Sequence, residues 1–479
     1  MAIEKRIGLF LGPALFLILL LMPTPAGLKL EAWRVIAMGA WMISWWVTEA
    51  VALPVTALLP LILLPMLGVS DLKTAAAPYS NPVVYLFFGG FVIALAMEKW
   101  NLHRRIALNI VRRVGTNANG IIFGFFLSTF FISMWISNTA TTVMMLPIAV
   151  SVIDLLTKTN AAVPERANVP HFALGILLAI TYASSIGGMA TVIGTPPNVV
   201  AKGYLLETFN YEVSFASWLM VAFPFALLFM FITYFLVVRV FYPNRLGDFE
   251  GAEELIQKEV EKLGAMTAGE KRTLVVFVAA AVLWIFQSLI NQVIPGLRLS
   301  DEGIAIMAAV ALFLMPIDFK KGEMVLEWRD TSKLAWGILL LFGGGLSLAD
   351  ALSSTGIIKL IGDQFAGIEN NEWLVVAGLV AVSVFLTEIM SNVAQVTVFL
   401  PVVGAMAQGM GMSPFEVCIP VTLAASAGFM LPMSTPPNAI VFASGHVKIG
   451  QMIRIGFWLN LIAIALIVGI VYPMVKLIF

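Results

Sequence analysis

Two stretches of this chain repeat one another. ISNTATTVMMLP fills residues 136–147 and MSNVAQVTVFLP fills residues 390–401. In both, Ser-Asn is followed by Ala and then by Leu-Pro at one spacing, 254 residues apart. The match widens at the same offset, since FGG at 88–90 recurs at 342–344. Further on, TPPN at 195–198 recurs at 435–438, now offset by 240, and Gly188 and Gly428 keep that offset. The first half therefore carries 14 extra residues between its motifs, placed in the polar stretch 157–170. A chain built this way must fold as two copies of one unit.

Both copies lie in apolar sequence. The chain is 60% hydrophobic and 12% charged, where a soluble domain carries about 25% charge, so much of its surface faces lipid. Apolar runs near bilayer length fall at 7–23, 32–49, 51–68, 83–99, 171–206, 216–241, 272–292, 302–318, 334–350, 414–445 and 453–475, about eleven spans. Residues 121–156 and 373–409 break at Ser-Asn, leaving arms of roughly 16 residues, short for a full crossing. We read them as re-entrant hairpins; two short spans each is the alternative. The expected fold is an all-α polytopic membrane protein.

Charge orients this topology. With the N-terminus in the cytoplasm and the faces alternating, 21 of the 28 Lys and Arg fall inside, a positive-inside bias that leaves the C-terminus extracellular or periplasmic. Lys plus Arg equals Asp plus Glu at 28 each, so net charge points to no nucleic-acid partner. The lone Cys418 forbids an internal disulfide. The apolar run after residues 1–6 reaches Pro23 and Pro25 without a clear cleavage site, so 1–31 is expected to be a retained N-terminal helix. Charged residues 244–272 read as a cytoplasmic linker between a first repeat, 32–243, and a second, 273–479. The basic segment 99–115 puts Leu102, Ile106, Ile110 and Val111 about a turn apart and is expected along the membrane surface; a solvated charge run is its bland reading.

Five spans per half is an odd number, so the second half must be inverted relative to the first. Inverted repeats whose broken helices meet near the midplane are a common plan for secondary transporters. Ser, Asn and Thr are preferred N-caps, so Ser137, Asn138, Thr139, Ser391 and Asn392 can end one arm and cap the next. At Thr195-Pro196 and Thr435-Pro436 the Thr serves as cap and the Pro fits the first helical position, while Pro197, Pro437, Gly187, Gly188 and Gly428 interrupt the preceding segment. Unwound backbone at membrane depth must be buried in protein or line a water-filled cavity. Four helix N-termini at such a cavity make an anion site. Neither motif contains a Lys or Arg. A dianion there needs a mobile cation, and the carbonyls and Ser, Thr and Asn oxygens suit hard cations. Carrying a dianion into an inside-negative cell costs about 2.3 kcal/mol per charge per 100 mV, a sign that three or more Na+ would reverse. Taken singly, such residues also serve close helix packing.

The paired Ser-Asn tips and paired Thr-Pro-Pro-Asn loops resemble the divalent anion:sodium symporter (DASS) family, in order and over nearly the whole chain. The resemblance implies that the tips bind carboxylates through Ser137, Asn138, Thr139, Ser391, Asn392 and Val393, with Thr195, Pro196, Thr435 and Pro436 beside them. It implies one Na+ site from Ser133, Ser137, Asn138 and Gly194, and a mirror site from Thr387, Met390, Asn392 and Ser434. Val393 departs from the pattern, since the first tip has Thr139 there. The resemblance further implies a homodimer in the inner membrane and an elevator motion. The transport unit would be 121–206 and 373–445, and 99–115 one connecting arm, with 353–367 its counterpart. Na+-coupled import of C4-dicarboxylates follows, with no organic cofactor; sodium-independent exchange, or citrate or sulfate as substrate, stays open. A polytopic enzyme lacks HExxH, an acidic metal cluster or a Walker A sequence.

Among other residues, Glu388 is a membrane-embedded carboxylate that could tune the second Na+ site, bind a proton or hold structure. Glu49 reads as a cap or interface residue. Trp45 and Trp46 read as an interfacial anchor, and His103, His171 and His446 as surface residues.

Overall fold

The computed structural model describes residues 3–115, 117–158, 168–246, 252–365 and 371–479. Most of the 157–170 insertion, part of the 244–272 linker and the end of 353–367 lie outside them. The first half runs α1 Ile3–Leu21, α2 Leu30–Thr48, the short α3 Leu53–Thr56, α4 Leu59–Met66 and α5 Leu72–Ala76, then α6 Pro82–Lys99, α7 Leu102–Val114, α8 Ala118–Ser133, α9 Asn138–Lys158, α10 Val169–Met189, α11 Pro196–Phe209 and α12 Phe215–Phe235. After α13 Ala252–Lys262 come α14 Ala268–Val293 and α15 Asp301–Leu314. A small ladder, β1 Pro316–Asp318 with β2 Glu323–Met324, leads to α16 Trp336–Ser354, α17 Ile357–Phe365, α18 Glu372–Leu386, α19 Asn392–Gly409, α20 Pro414–Ala425, α21 Pro436–Ala443, α22 Ile449–Leu466 and α23 Tyr472–Ile478. Helices α6–α12 recur in order as α16–α22. Among the described residues, seven helices are long and apolar enough to cross a membrane, which makes this a multi-pass membrane protein.

Capping residues start many of these helices. Asp71, Asn81, Asn117, Asn168, Ser214, Thr267, Ser300 and Asn371 each accept a backbone N–H of the first turn, satisfying donors that would otherwise be orphaned.

Two polar anchors close the hairpins. Asn244, just past α12, donates Nδ2–H to Asn119 Oδ1 at the start of α8 (2.9 Å). Its carbonyl accepts the N–H of Asn168, which follows α9 (2.7 Å). The chain therefore enters α8 and returns from α9 at one face. In the second half, Lys476 on α23 binds Glu372, which opens α18, and Glu416, which follows α19 (3.4 Å). The faces are opposite. Tyr242, two residues before Asn244, donates to the carbonyl of Gln451 near the start of α22 (2.8 Å). From there the 30-residue helical run Ile449–Ile478 carries the chain to Lys476, roughly 37 Å away at 1.5 Å per residue. The hairpins thus open at opposite faces, as an inverted repeat requires.

Some expectations change. The run 51–68 is not one continuous helix: Pro54 and Pro60 sit in the first turns of two separate helices, α3 and α4, with Pro65 inside the second. The run 302–318 ends as helix at Leu314 and turns into the ladder. Trp46 is no interfacial anchor: it is fully buried, with Nε1–H donated to the Leu53 carbonyl. His103 is buried with Nδ1 against the Met97 carbonyl and His171 sits half-buried against that of Pro243; only His446 is a surface histidine. Helix α7 turns its apolar side onto α8 and its arginines onto the linker, where Arg104 pairs with Glu259 (2.8 Å) and Arg105 with Glu270 (2.6 Å).

Candidate substrate and cation site

One cavity of about 1170 Å³ takes in both tips and both broken-helix loops. Ser137, Asn138, Thr139, Thr195 and Pro196 of the first half line it together with Ser391, Asn392, Val393, Thr435 and Pro436 of the second. All ten residues expected to meet a substrate are brought together. Helices α9, α11, α19 and α21 all begin at this wall, so four helix N-termini, with their partial positive charge, face one space. The capping differs between positions. Ser137 Oγ accepts from Ala140 N (3.2 Å) and Thr435 Oγ1 from Asn438 N (3.3 Å). Thr195 and Ser391 hold N-cap geometry without a capping bond.

Behind each tip stands one buried hydroxyl. Ser133 Oγ donates to Asn138 Oδ1 (2.7 Å), and Thr387 Oγ1 to Asn392 Oδ1 (2.8 Å). Of the positions expected to hold cations, only Ser133 and Thr387 do not line the cavity; both are buried just behind it. Gly194 and Ser434 at the loops and Met390 at the second tip do line it. Gly194 must be glycine, because its loop folds back until a Cβ would meet the Gly188 carbonyl oxygen.

Two residues absent from the expected site hold these loops. Asn198 Nδ2 donates to the carbonyls of Gly188 (3.1 Å) and Thr191 (2.8 Å). Asn438 Nδ2 donates to those of Gly428 (3.1 Å) and Leu431 (3.0 Å) and to Ser434 Oγ (3.0 Å). The paired carbonyls are offset by 240, and the last residue of each TPPN motif was the visible signal. Glu388 holds the second loop as well. Its Oε1 accepts from Phe429 N (2.8 Å), Met430 N (2.9 Å) and Asn460 Nδ2 (2.8 Å), and its Oε2 from Leu431 N (3.0 Å). A carboxylate accepting this many donors is compensated for leaving water.

The family described as sodium:sulfate symporter transmembrane region matches residues 4–478. The chain belongs to the divalent anion:sodium symporter family. A sodium-dependent dicarboxylate transporter, SdcS, of Staphylococcus saprophyticus is 38% identical over 476 residues, covering 99% of this chain and 92% of that protein. SdcS of Staphylococcus aureus strain USA300 is 37% identical over 471 residues, covering 98% and 91%. These symporter relatives are transporters, not enzymes. Two solved structures share the fold at low identity. The Neisseria gonorrhoeae MtrF efflux pump aligns with TM-score 0.61 and 13% identity over 98% of this chain and 95% of that one. The Alcanivorax borkumensis YdaH transporter aligns with TM-score 0.58 and 11% identity over 84% and 88%.

The cavity of this symporter-family chain opens at the face carrying Lys5, Glu49, Glu98 and Lys333, which line its outer wall. Lys5 pairs with Glu49 (3.4 Å), which caps α2 with φ +46°. Basic side chains do reach the cavity, then, but at its rim. Sequence spacing hid them, since Lys5 and Lys333 meet only through the tertiary fold.

Proposed function

We propose that this chain is a Na+-coupled symporter that imports C4-dicarboxylates of the succinate, malate and fumarate type. The observation that carries this reading is the meeting of two Ser-Asn tips and four helix N-termini in one cavity, with buried oxygens in place of basic side chains behind them. Helix N-termini and hydroxyls favour carboxylates. The hydroxyl, amide and carbonyl oxygens beneath the tips suit Na+, with Ser133, Ser137, Asn138 and Gly194 as one site and Thr387, Met390, Asn392 and Ser434 as the other. The 37–38% identical relatives named as sodium-dependent dicarboxylate transporters support the same choice of ion and substrate.

Transport on this reading is an elevator movement within a homodimer. The hairpins and broken helices, 121–206 and 373–445, move against the remaining spans other than α12 and α22. Helices α12 and α22 travel with them, since Trp218 Nε1 donates to the Met189 carbonyl (3.1 Å) and Asn460 to Glu388. The opening beside Lys5 and Lys333 corresponds to an inward-facing state, with the N-terminus in the cytoplasm and the C-terminus outside.

The test is radiolabelled succinate uptake into liposomes with Na+ or K+ outside and no substrate within. Uptake that needs Na+ and is accelerated by inside-negative voltage is the expected result. Uptake only into dicarboxylate-loaded vesicles would make the protein an exchanger. Asn138→Ala and Asn392→Ala should each abolish uptake; full transport in both would overturn the site.

A further inference from the structure

A run of buried hydrogen bonds and close polar contacts joins the two halves of the site, and it exists on one side only. Thr142 Oγ1 lies 2.8 Å from the Asn138 carbonyl oxygen, one turn into α9 behind the first tip, and 3.2 Å from Ser184 Oγ on α10. Ser184 Oγ donates to the Thr181 carbonyl (2.9 Å). Thr181 Oγ1 then crosses between the halves and donates to Asn438 Oδ1 (2.6 Å). Asn438 carries the run on through Nδ2 to Ser434 Oγ and to the loop carbonyls of the second half. Thr142, Thr181, Ser184 and Asn438 are each wholly buried.

The mirror path is missing. Thr142, Ser184 and Thr181 correspond, by the offsets of 254 and 240, to Val396, Ala424 and Val421. None of the three can donate a hydrogen bond from its side chain. The structure registers the loss, because Asn198 Oδ1, the counterpart of Asn438 Oδ1, is buried without a partner. A duplicated site has thus kept its cross-link in one direction.

We propose that Thr181 is a positioning residue that couples the first tip to the second cation site, so that ordering one favours occupation of the other. The proposal rests on the Na+-symport reading of the site. Asn138 belongs to the first site and Ser434 to the second, and neither can shift without straining a buried hydrogen bond in the run. Buried polar networks of this kind lose free energy when partly broken. A cation that fixes Asn138 therefore pre-orders the loop bearing Ser434, and the effect is reciprocal by linkage. The measurement that tests this coupling reports cooperativity itself.

The full-length protein in liposomes, with succinate uptake measured against Na+ concentration, provides it. Wild type is expected to show a sigmoidal Na+ dependence. Thr181→Val should lower the Hill coefficient toward 1 and raise the half-activating Na+ concentration about three- to tenfold, with the maximal rate at saturating Na+ kept within about twofold. Thr181→Ser, which restores the hydroxyl, should recover both parameters. Ser184→Ala cuts the run at its middle, serves if Thr181→Val does not fold, and should move them in the same direction. An unchanged Hill coefficient and half-activation in the folded variants would overturn the coupling alone. A wild type without Na+ dependence would overturn the symport reading, and the coupling with it.

Discussion

The two broken-helix loops perform one task with different chemistry. In the first half, residues 190–195 are tied by neutral groups. Thr191 Oγ1 donates to the Met134 carbonyl, Trp218 to the Met189 carbonyl, and the Asn198 amide to Gly188 and Thr191. In the second half, residue 388 stands where Met134 stands in the first, and it is a glutamate. Its carboxylate accepts three successive backbone N–H groups, those of Phe429, Met430 and Leu431. Duplication fixed where the backbone must unwind, whereas the group that satisfies the freed amides was left to vary. Only the second loop places a negative charge beside the residues that would hold a cation.

The largest expected difference between the halves follows from this. Glu388→Ala leaves three N–H groups and the Asn460 amide without their acceptor, a loss on the order of 4 kcal/mol at about 1–3 kcal/mol for each unsatisfied group, with screening and relaxation reducing the sum. Glu388→Gln keeps one acceptor oxygen but turns an NH2 toward donors, so it should fall between Ala and wild type. The matching first-half change, Thr191→Val, removes one donor and should cost about 1 kcal/mol. Thermal unfolding of detergent-purified protein would rank the three; equal losses for Glu388→Ala and Thr191→Val would erase the contrast.

Next in size are the glycines at equivalent places. A Cβ on Gly188 would fall inside the side-chain amide of Asn138, whereas one on Gly428 would come to 3.0 Å from Ser434 Cβ. Gly188→Ala must displace the tip asparagine, and Gly428→Ala need only shift a serine by a few tenths of an ångström. Succinate uptake should be lost in the first and reduced several-fold in the second, with the initial uptake rate at saturating Na+ as the measure. Comparable activity in both would mean that the first loop yields more easily than its packing implies.

The large-scale plan was legible in the sequence because the motif residues do unusual work. Proline and capping residues inside an apolar run interrupt a helix where lipid offers no replacement hydrogen bonds, so each motif marks a place where one helix ends and another begins. Their two offsets aligned Ser133 with Thr387 as well. The network behind the tips was not legible. Helix α10 is buried on every side from Phe172 to Met189, so no amphipathic pattern marks Thr181 or Ser184 as different from the residues around them. Their meaning depends on which carbonyl or amide of another helix they meet. The rim lysines escaped for the same reason, and Trp46 departs from the expected anchor because packing, not composition, decides which end-of-span aromatics face lipid.

A smaller effect comes from the tips. Thr139 and Val393 line the same cavity, and only the first offers a hydroxyl. If substrate carboxylates use both tips, Thr139→Val should weaken succinate binding by about 1 kcal/mol, close to one net hydrogen bond. Val393→Thr should gain less, because Val393 packs against the apolar interior and its new hydroxyl must be desolvated. The half-saturating succinate concentration at saturating Na+ reads both, and a gain from Val393→Thr equal to the loss from Thr139→Val would make the tips equivalent.

The smallest expected effect lies outside the membrane, where α7 meets the linker. Hydrogen bonding from Lys262, above all, holds the Glu259 carboxyl below its ordinary range, and the Arg104 guanidinium adds to it against the opposing effect of burial. The folded state therefore binds this proton less readily than the unfolded chain does. Its contribution to stability is present above the ordinary value of 4.5 and is lost as pH falls through the lowered folded value. Part-exposed pairs of this kind contribute about 0.2–1 kcal/mol and are screened by salt. Melting temperature should be level from pH 8 to about 5 and decline below 4.5, and Glu259→Gln should shallow that decline while barely changing stability at pH 7. An acid limb untouched by Glu259→Gln would place the titrating groups elsewhere, and would leave the α7–linker contact held by packing and by the Arg105–Glu270 pair instead.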